Sequence, residues 1–263
     1  MLLGTHMYKR CATIKGCVIG FFFSLCIFPS STNEQLETSA DLEVQKHTRC
    51  TIQMSPPFFK DASEPLNYVA IASPAYAWLV SEFIQAFSAL SPTQAAVGLV
   101  SGYFAADLFS GCAHLTTDSW NPEIFPESLA KVFRGAQEHH NNPADVLGEG
   151  VWENNKKYHV ASYVALGITS LLRLSGFGFA SEILDVVILM NMWTGWFHAC
   201  GHGAYQEYPI VRVLQRKGLL ISKAEHGKHH KPPHERDFCV ISGLMNPVLN
   251  RVLDVGHWFK SLV

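Results

Sequence analysis

Charge is scarce in this sequence. Asp, Glu, Lys and Arg make up 16% of its 263 residues, against 48% hydrophobic residues, where a soluble domain carries about 25% charge. The shortage leans toward a membrane. Net charge is nearly absent as well, at -2 with histidine neutral, so overall charge predicts no partner, nucleic acid included. Paired cysteines are missing: the seven cysteines form no C-x-x-C, and Cys11, Cys17 and Cys26 lie in the first hydrophobic stretch. Neither a disulfide framework nor a zinc ribbon is indicated.

No acidic residue precedes Glu34. Lys9, Arg10 and Lys15 lead into an apolar run from Cys17 to Phe28, followed by small and polar residues from Ser30 to Asn33. That layout suits a targeting segment or a short anchor over residues 1–32. The run is short for a span, which needs about 20 residues. Residues 33–65 are polar, contain Pro56, Pro57 and Pro65, and read as a linker. Residues 66–263 form the main domain.

Long, purely apolar runs are also absent, but four segments have spanning length: about Tyr68 to Leu90, Pro92 to His114, His159 to Phe177, and Ala180 to His202. Pro74 and Glu82 interrupt the first, and Gly98-x-x-x-Gly102 on the second would allow close helix packing. The expected fold is an all-α integral membrane protein with about four transmembrane helices. On this map His114, His198 and His202 end their spans on one side. The segment 115–158 and the tail after Gly203 share that side. Lysines and arginines gather there too, among them Lys131, Arg134, Lys156, Lys157, Arg212 and Arg216, while the opposite loops carry little beyond Arg173. The positive-inside rule makes the histidine side cytosolic or stromal. The same map puts residues 29–67 on that side, which conflicts with a cleaved secretory signal.

Histidine is what the sequence has in excess, with 13 residues. His114 and Asp118 lie four apart and share a helix face. They offer a metal one imidazole and one carboxylate, or else a helix-end histidine and a cap. His139 and His140 are adjacent and point apart on a helix, which suits two metals, or one metal ligand beside a supporting histidine, better than one metal. His198 and His202 form an i, i+4 pair fit for one metal, without the glutamate that zinc proteases place inside that motif. His226, His229 and His230 follow within five residues, with His234 and Glu235 beyond. Separately these clusters also read as capping, polar-face or surface histidines. Together they bring too many ligands for one tetrahedral zinc. They suit two iron ions, because imidazole ligates iron well and leaves positions for oxygen. Such a centre at a membrane face can attack an unactivated C–H bond of a lipid, which no side-chain acid or base can do.

At these residues the chain resembles the Kua-type lipid desaturases, a family that includes plasmanylethanolamine desaturase and the plant fatty acid desaturase 4-like enzymes. The matching pieces are Ala106-Asp107-Leu108, Ser110-Gly111, His114, Asp118, Gln137, His139, His140 and Pro143. They continue with His198, His202, the run Gly218 to Ser222, His226, His229, His230, Phe238-Cys239 and Asn246. The resemblance covers roughly residues 92–253. It implies a di-iron, oxygen-dependent enzyme that puts a double bond into an acyl or alkyl chain of a membrane phospholipid. A small redox carrier such as cytochrome b5 or ferredoxin would supply electrons, in an endoplasmic reticulum or plastid membrane. His114, Asp118, His139, His140, His198, His202, His226, His229 and His230 match its catalytic and metal positions, and His234 joins the expected metal set. His234-Glu235 looks like the plasmalogen branch and the Gly218–Ser222 run like the plant acyl branch. The loop after Pro143, residues 144–150, departs from the family's Thr-rich pattern.

Competing readings are a lipid hydroxylase with similar histidine boxes, a non-catalytic metal- or haem-binding membrane protein, and a membrane zinc hydrolase. His6, His47, His159 and His257 stand outside the motifs. Asp107 and Asp185 lie within expected spans and serve either function or helix packing.

Overall fold

The computed structural model describes residues 63–260, and every regular element among them is helical. The all-α expectation holds. The targeting or anchor segment and nearly all of the linker lie outside the described residues, as do His6 and His47.

Helix α1 (Glu64–Ala89) begins just ahead of the boundary expected at residue 66, with Pro65 in its first turn, where a missing N–H is no loss. Helix α2 (Pro92–Ser119) opens on a capping box: Ser91 Oγ accepts the Gln94 N–H, and the Gln94 side chain accepts the Ser91 N–H. A short amphipathic α3 (Glu127–His139) follows, then α4 (Val151–Leu174) and α5 (Gly178–Asn191). The tail holds α6 (Thr194–Gly201), α7 (Pro209–Arg216), α8 (Lys223–His229) and α9 (Asn246–Lys260).

Helix α5 packs against α1, α2 and α4, around a core of Ala75, Leu79, Leu166, Ile188 and Met192. Its contact with α2 is the most extensive, and the Gly98-x-x-x-Gly102 pair lies on it. A Cβ at Gly102 would sit 2.5 Å from Val186 Cβ, and one at Gly98 would collide with the Glu182 carboxylate. The close packing expected of that pair is therefore present.

The stretch expected as one span from Ala180 to His202 is two helices, α5 and α6, bent by 54°. No proline marks the break. Side chains cover the freed backbone instead: Asn191 Nδ2 donates to Val187 O at 2.9 Å, and Thr194 Oγ1 donates to Asn191 O at 2.9 Å.

By length and composition one described helix, α2, is apolar enough to cross a membrane, and the bent α5–α6 pair would make a second. Helices α1 and α4 fall short of that composition; on α1, Glu64 and Glu82 are buried while Asn67, Ser73, Ser81, Gln85 and Ser88 are exposed. On α4, Asn155, His159, Ser162 and Thr169 are buried, whereas Val160, Val164, Ile168 and Leu171 point outward at 50–74% exposure. Arg173, read from sequence as a loop charge, is also inside, at the end of α4. It pairs with Glu82 at 2.5 Å and Asp185 at 2.8 Å, and Thr169 Oγ1 donates to Asp185 at 2.7 Å. Asp185 is thus absorbed by structure. Glu182, which sequence reasoning passed over, is fully buried on α5 with neither carboxylate oxygen hydrogen-bonded.

Candidate metal centre

Four helices bring their C-terminal turns to one end of the bundle. His114 and Asp118 lie near the end of α2, and His139 ends α3 with His140 as its cap. His198 is on α6 with His202 as its cap, and His226 and His229 are on α8 with His230 as its cap. Each helix C-terminus carries partial negative charge, so four of them converging favour a cation between them. Ser222 sets the start of α8 by accepting the Glu225 N–H at 3.2 Å. Gln137 ties α3 to the end of α2, donating to Thr117 O and Trp120 O at 3.1 and 2.9 Å.

The ligand atoms fall into two groups. His139, His198, His202, His226 and His230 form one, and His114, Asp118, His140 and His229 the other, with all atoms of a group within 4.8 Å of one another. Adjacent His139 and His140 go to different groups, as the two-metal reading of that pair requires. The His198–His202 pair stays together. The run His226, His229, His230 splits, with His229 alone joining the Asp118 group.

The donor atoms fit metal ions. In the first group Nε2 faces Nε2 at 2.9 Å (His139–His202), 3.2 Å (His198–His202), 3.0 Å (His202–His226) and 3.1 Å (His226–His230). His202 would need to bond three ring nitrogens with one Nε2, which protons cannot satisfy and a cation can. In the second group, Asp118 Oδ2 lies 3.4, 3.5 and 3.3 Å from Nε2 of His114, His140 and His229. Neither Asp118 oxygen has a hydrogen-bond partner, though both are buried. Ligands about 2.1 Å from one ion stand roughly 3.0–3.4 Å apart.

Two rings are fixed from behind. His114 Nδ1 donates to Phe238 O at 3.0 Å, and His229 Nδ1 donates to Arg236 O at 2.9 Å. A carbonyl only accepts, so the proton sits on Nδ1 and the Nε2 lone pair is free. Burial pushes His139 down to about 4 and His230 to about 3, and lowers His140 and His226 as well. These imidazoles are neutral at pH 7, the form that binds metal.

His234 lies outside both groups. Its ring stacks on His140 at 4.4 Å and 7°, and its Nδ1 donates to His229 O at 3.1 Å. It braces two histidines rather than converging with them. His159 is away from the centre, bonded to Asn155 O and Tyr76. The side chain of His257 is outside what is described. Sequence reasoning missed the two carbonyls, which no side-chain pattern announces.

A cavity of about 430 Å³ opens onto the second group, touching Asp118 and His140 and lined by Leu115, Phe238 and Leu253 together with Ser119, Gln137, Pro233, His234 and Glu235.

The lipid desaturase domain family matches residues 103–260. Fatty acid desaturase 4-like 2, chloroplastic, of Arabidopsis thaliana is 30% identical over 169 residues, 62% of this chain and 56% of that protein. Fatty acid desaturase 4-like 1, chloroplastic, of the same plant is 28% identical over 246 residues, 89% of this chain and 78% of that protein. Plasmanylethanolamine desaturase of Myxococcus xanthus is 30% identical over 164 residues, 61% of this chain and 56% of that protein. The match thus spans little more than half the length of the first and last of these. No solved structure matches the chain.

Proposed function

The chain belongs to the lipid desaturase domain family, and from that premise we propose that it is a membrane-bound, di-iron, oxygen-dependent desaturase. It introduces a double bond into an acyl or alkyl chain of a glycerophospholipid. The observation that carries this reading is the pair of ligand groups, five histidines beside three histidines and Asp118, at one end of a helical bundle. When bound, two irons supply oxygen activation strong enough to take two hydrogens from adjacent unactivated carbons, with two further electrons from a small carrier such as cytochrome b5 or ferredoxin.

The protein's own residues do the rest. Nine side chains hold the metals, and the carbonyls of Arg236 and Phe238 keep two rings aimed. His234 is braced against His140 and is left out of the proposed ligand set. The cavity beside Asp118 admits the substrate chain, with Leu115, Phe238 and Leu253 as its apolar wall.

Four crossings, by α1, α2, α4 and the bent α5–α6 pair, fit this chemistry. The outward Val160, Val164, Ile168 and Leu171 of α4, with Val97, Val100 and Phe109 on α2, offer apolar surface that lipid chains would cover. The membrane is that of the endoplasmic reticulum or a plastid.

The test is metal content and product together. Protein expressed with iron and purified in detergent should carry about two irons per chain. Reconstituted with phospholipid, an electron donor and oxygen, it should yield a new double bond. One zinc, a haem or no metal overturns the reading, and an alcohol in place of the double bond makes the enzyme a hydroxylase.

A further inference from the structure

Asp107 has no task in the chemistry proposed above. It is fully buried on α2, about two turns before His114. Its carboxylate accepts three backbone N–H groups from one loop: Ser242 and Gly243 on Oδ1 at 2.8 and 3.2 Å, and Met245 on Oδ2 at 3.0 Å. A buried carboxylate is costly unless bonded, and three charge-assisted bonds to consecutive turns of backbone make a firm anchor. One turn on, Ser110 Oγ accepts the Val240 N–H at 3.2 Å and donates to Asp107 O at 2.7 Å. Next to it a Cβ at Gly111 would meet Cys239 Sγ at 2.6 Å, so the loop lies against bare backbone.

The other flank of this strap is held by α9. Asn246 Oδ1 accepts the Cys239 N–H at 2.9 Å. Asp237 and Asn250 bond reciprocally: the Asp237 N–H donates to Asn250 Oδ1 at 3.1 Å, and Asn250 Nδ2 donates to Asp237 Oδ1 at 3.0 Å. Asp237 itself has φ 62°. It stands between Arg236 and Phe238, whose carbonyls hold His229 and His114. Both histidines belong to the Asp118 group. The ring-nitrogen contacts described for the five-histidine group run among its own members, and the strap meets the lead into α8 through backbone, where Ile241 O accepts the Ile221 N–H at 2.8 Å.

We propose that Asp107 is a positioning residue for one metal of the two. By clamping the strap from Arg236 to Met245 it sets the rings of His114 and His229, and hence the Asp118 position, while the five-histidine position stands without it. This inference rests on the two-metal reading. An Asn at 107 keeps one oxygen but turns an NH₂ toward an N–H that needs an acceptor, so the strap loosens. Loss of an outer partner of a metal-bound histidine costs about 10–100-fold in metal affinity.

The experiment is a cobalt(II) titration of the metal-free full-length protein in detergent, followed by visible absorption and metal count. The wild type should take two cobalt ions. Asp107→Asn should keep one at wild-type affinity and bind the other about 10–100-fold more weakly. In a His140→Ala background, which leaves only the five-histidine position, Asp107→Asn should change nothing. Ser110→Ala removes a single acceptor and should weaken the same one cobalt by less. If Asp107→Asn does not fold, Ser110→Ala decides alone. Equal weakening of both ions, or of neither, overturns the inference and leaves the two-metal reading intact. A wild type that takes fewer than two ions overturns both.

Discussion

His139 and His140 share a peptide bond and fall in different ligand groups: His139 Nε2 lies 2.9 Å from His202 Nε2, and His140 Nε2 lies 2.9 Å from His229 Nε2. The end of α3 is therefore the wall between the two positions. His139→Ala and His140→Ala should each leave one tightly held metal and abolish turnover. Metal analysis after dialysis checks this, and either variant retaining two metals would contradict the division.

The metal-free protein should be acid-sensitive in a defined window. His139 is held down to about 4 and His230 to about 3, mainly by burial, against about 6.5 in the unfolded chain. The unfolded state therefore takes up protons first as pH falls, so stability present above about 6.5 is lost progressively toward 4. Thermal midpoints of the metal-free protein in detergent, measured from pH 7 to 4, should fall. A level profile would mean these histidines are not desolvated.

At the far end of the bundle, Arg173→Met should leave Glu82 and Asp185 buried without their cation. Breaking a buried pair in this way costs about 3–5 kcal/mol. Adding Asp185→Asn should recover part of the loss, as read from thermal midpoints of the single and double variants. Iron content should stay at the wild-type value, because the network lies away from the histidines. A drop in iron in otherwise folded Arg173→Met would show the two ends to be coupled.

Gly102→Leu should destabilise the bundle by about 1–3 kcal/mol, the usual cost of overpacking, since Val186 and the Ile183 carbonyl already crowd that position. Gly167→Leu on α4, where a Cβ meets nothing, is the comparison. Equal midpoints for the two variants would remove the glycine stripe from the packing argument.

Much of this was legible in the sequence, for identifiable reasons. Histidines at i, i+4 spacing declare a shared helix face, so the His198–His202 pair needed no structure. The separation of His229 from His226 and His230 was not legible, because positions three and four apart both share a helix face. The bend at Met192–Trp193 was hidden, because neither proline nor glycine marks it and Asn191 and Thr194 cover the break locally. On α4 the division of buried Asn155, His159, Ser162 and Thr169 from outward Val160, Val164, Ile168 and Leu171 is invisible to a hydropathy averaged over the segment. The role of His234 was hidden too. Its spacing fits a ligand, while the left-handed backbone at φ 61° turns the ring onto His140. Asp107 was visible as a buried charge, but its partners are backbone groups of a loop more than a hundred residues away, which carry no side-chain signature.

The convergence of four helix ends has a consequence for biosynthesis. The Asp118 group is complete only once the chain has been made through His229 and the five-histidine group through His230, and the brace on His114 waits for Phe238. On the two-metal reading, loading is therefore a late event in the life of each molecule. A ribosome-bound chain lacking the tail would carry helices α1 to α6 but no finished centre. On the proposed di-iron reading, binding to the centre is also folding free energy, so starvation for iron should lower the abundance of newly made protein before it lowers the activity of molecules already assembled.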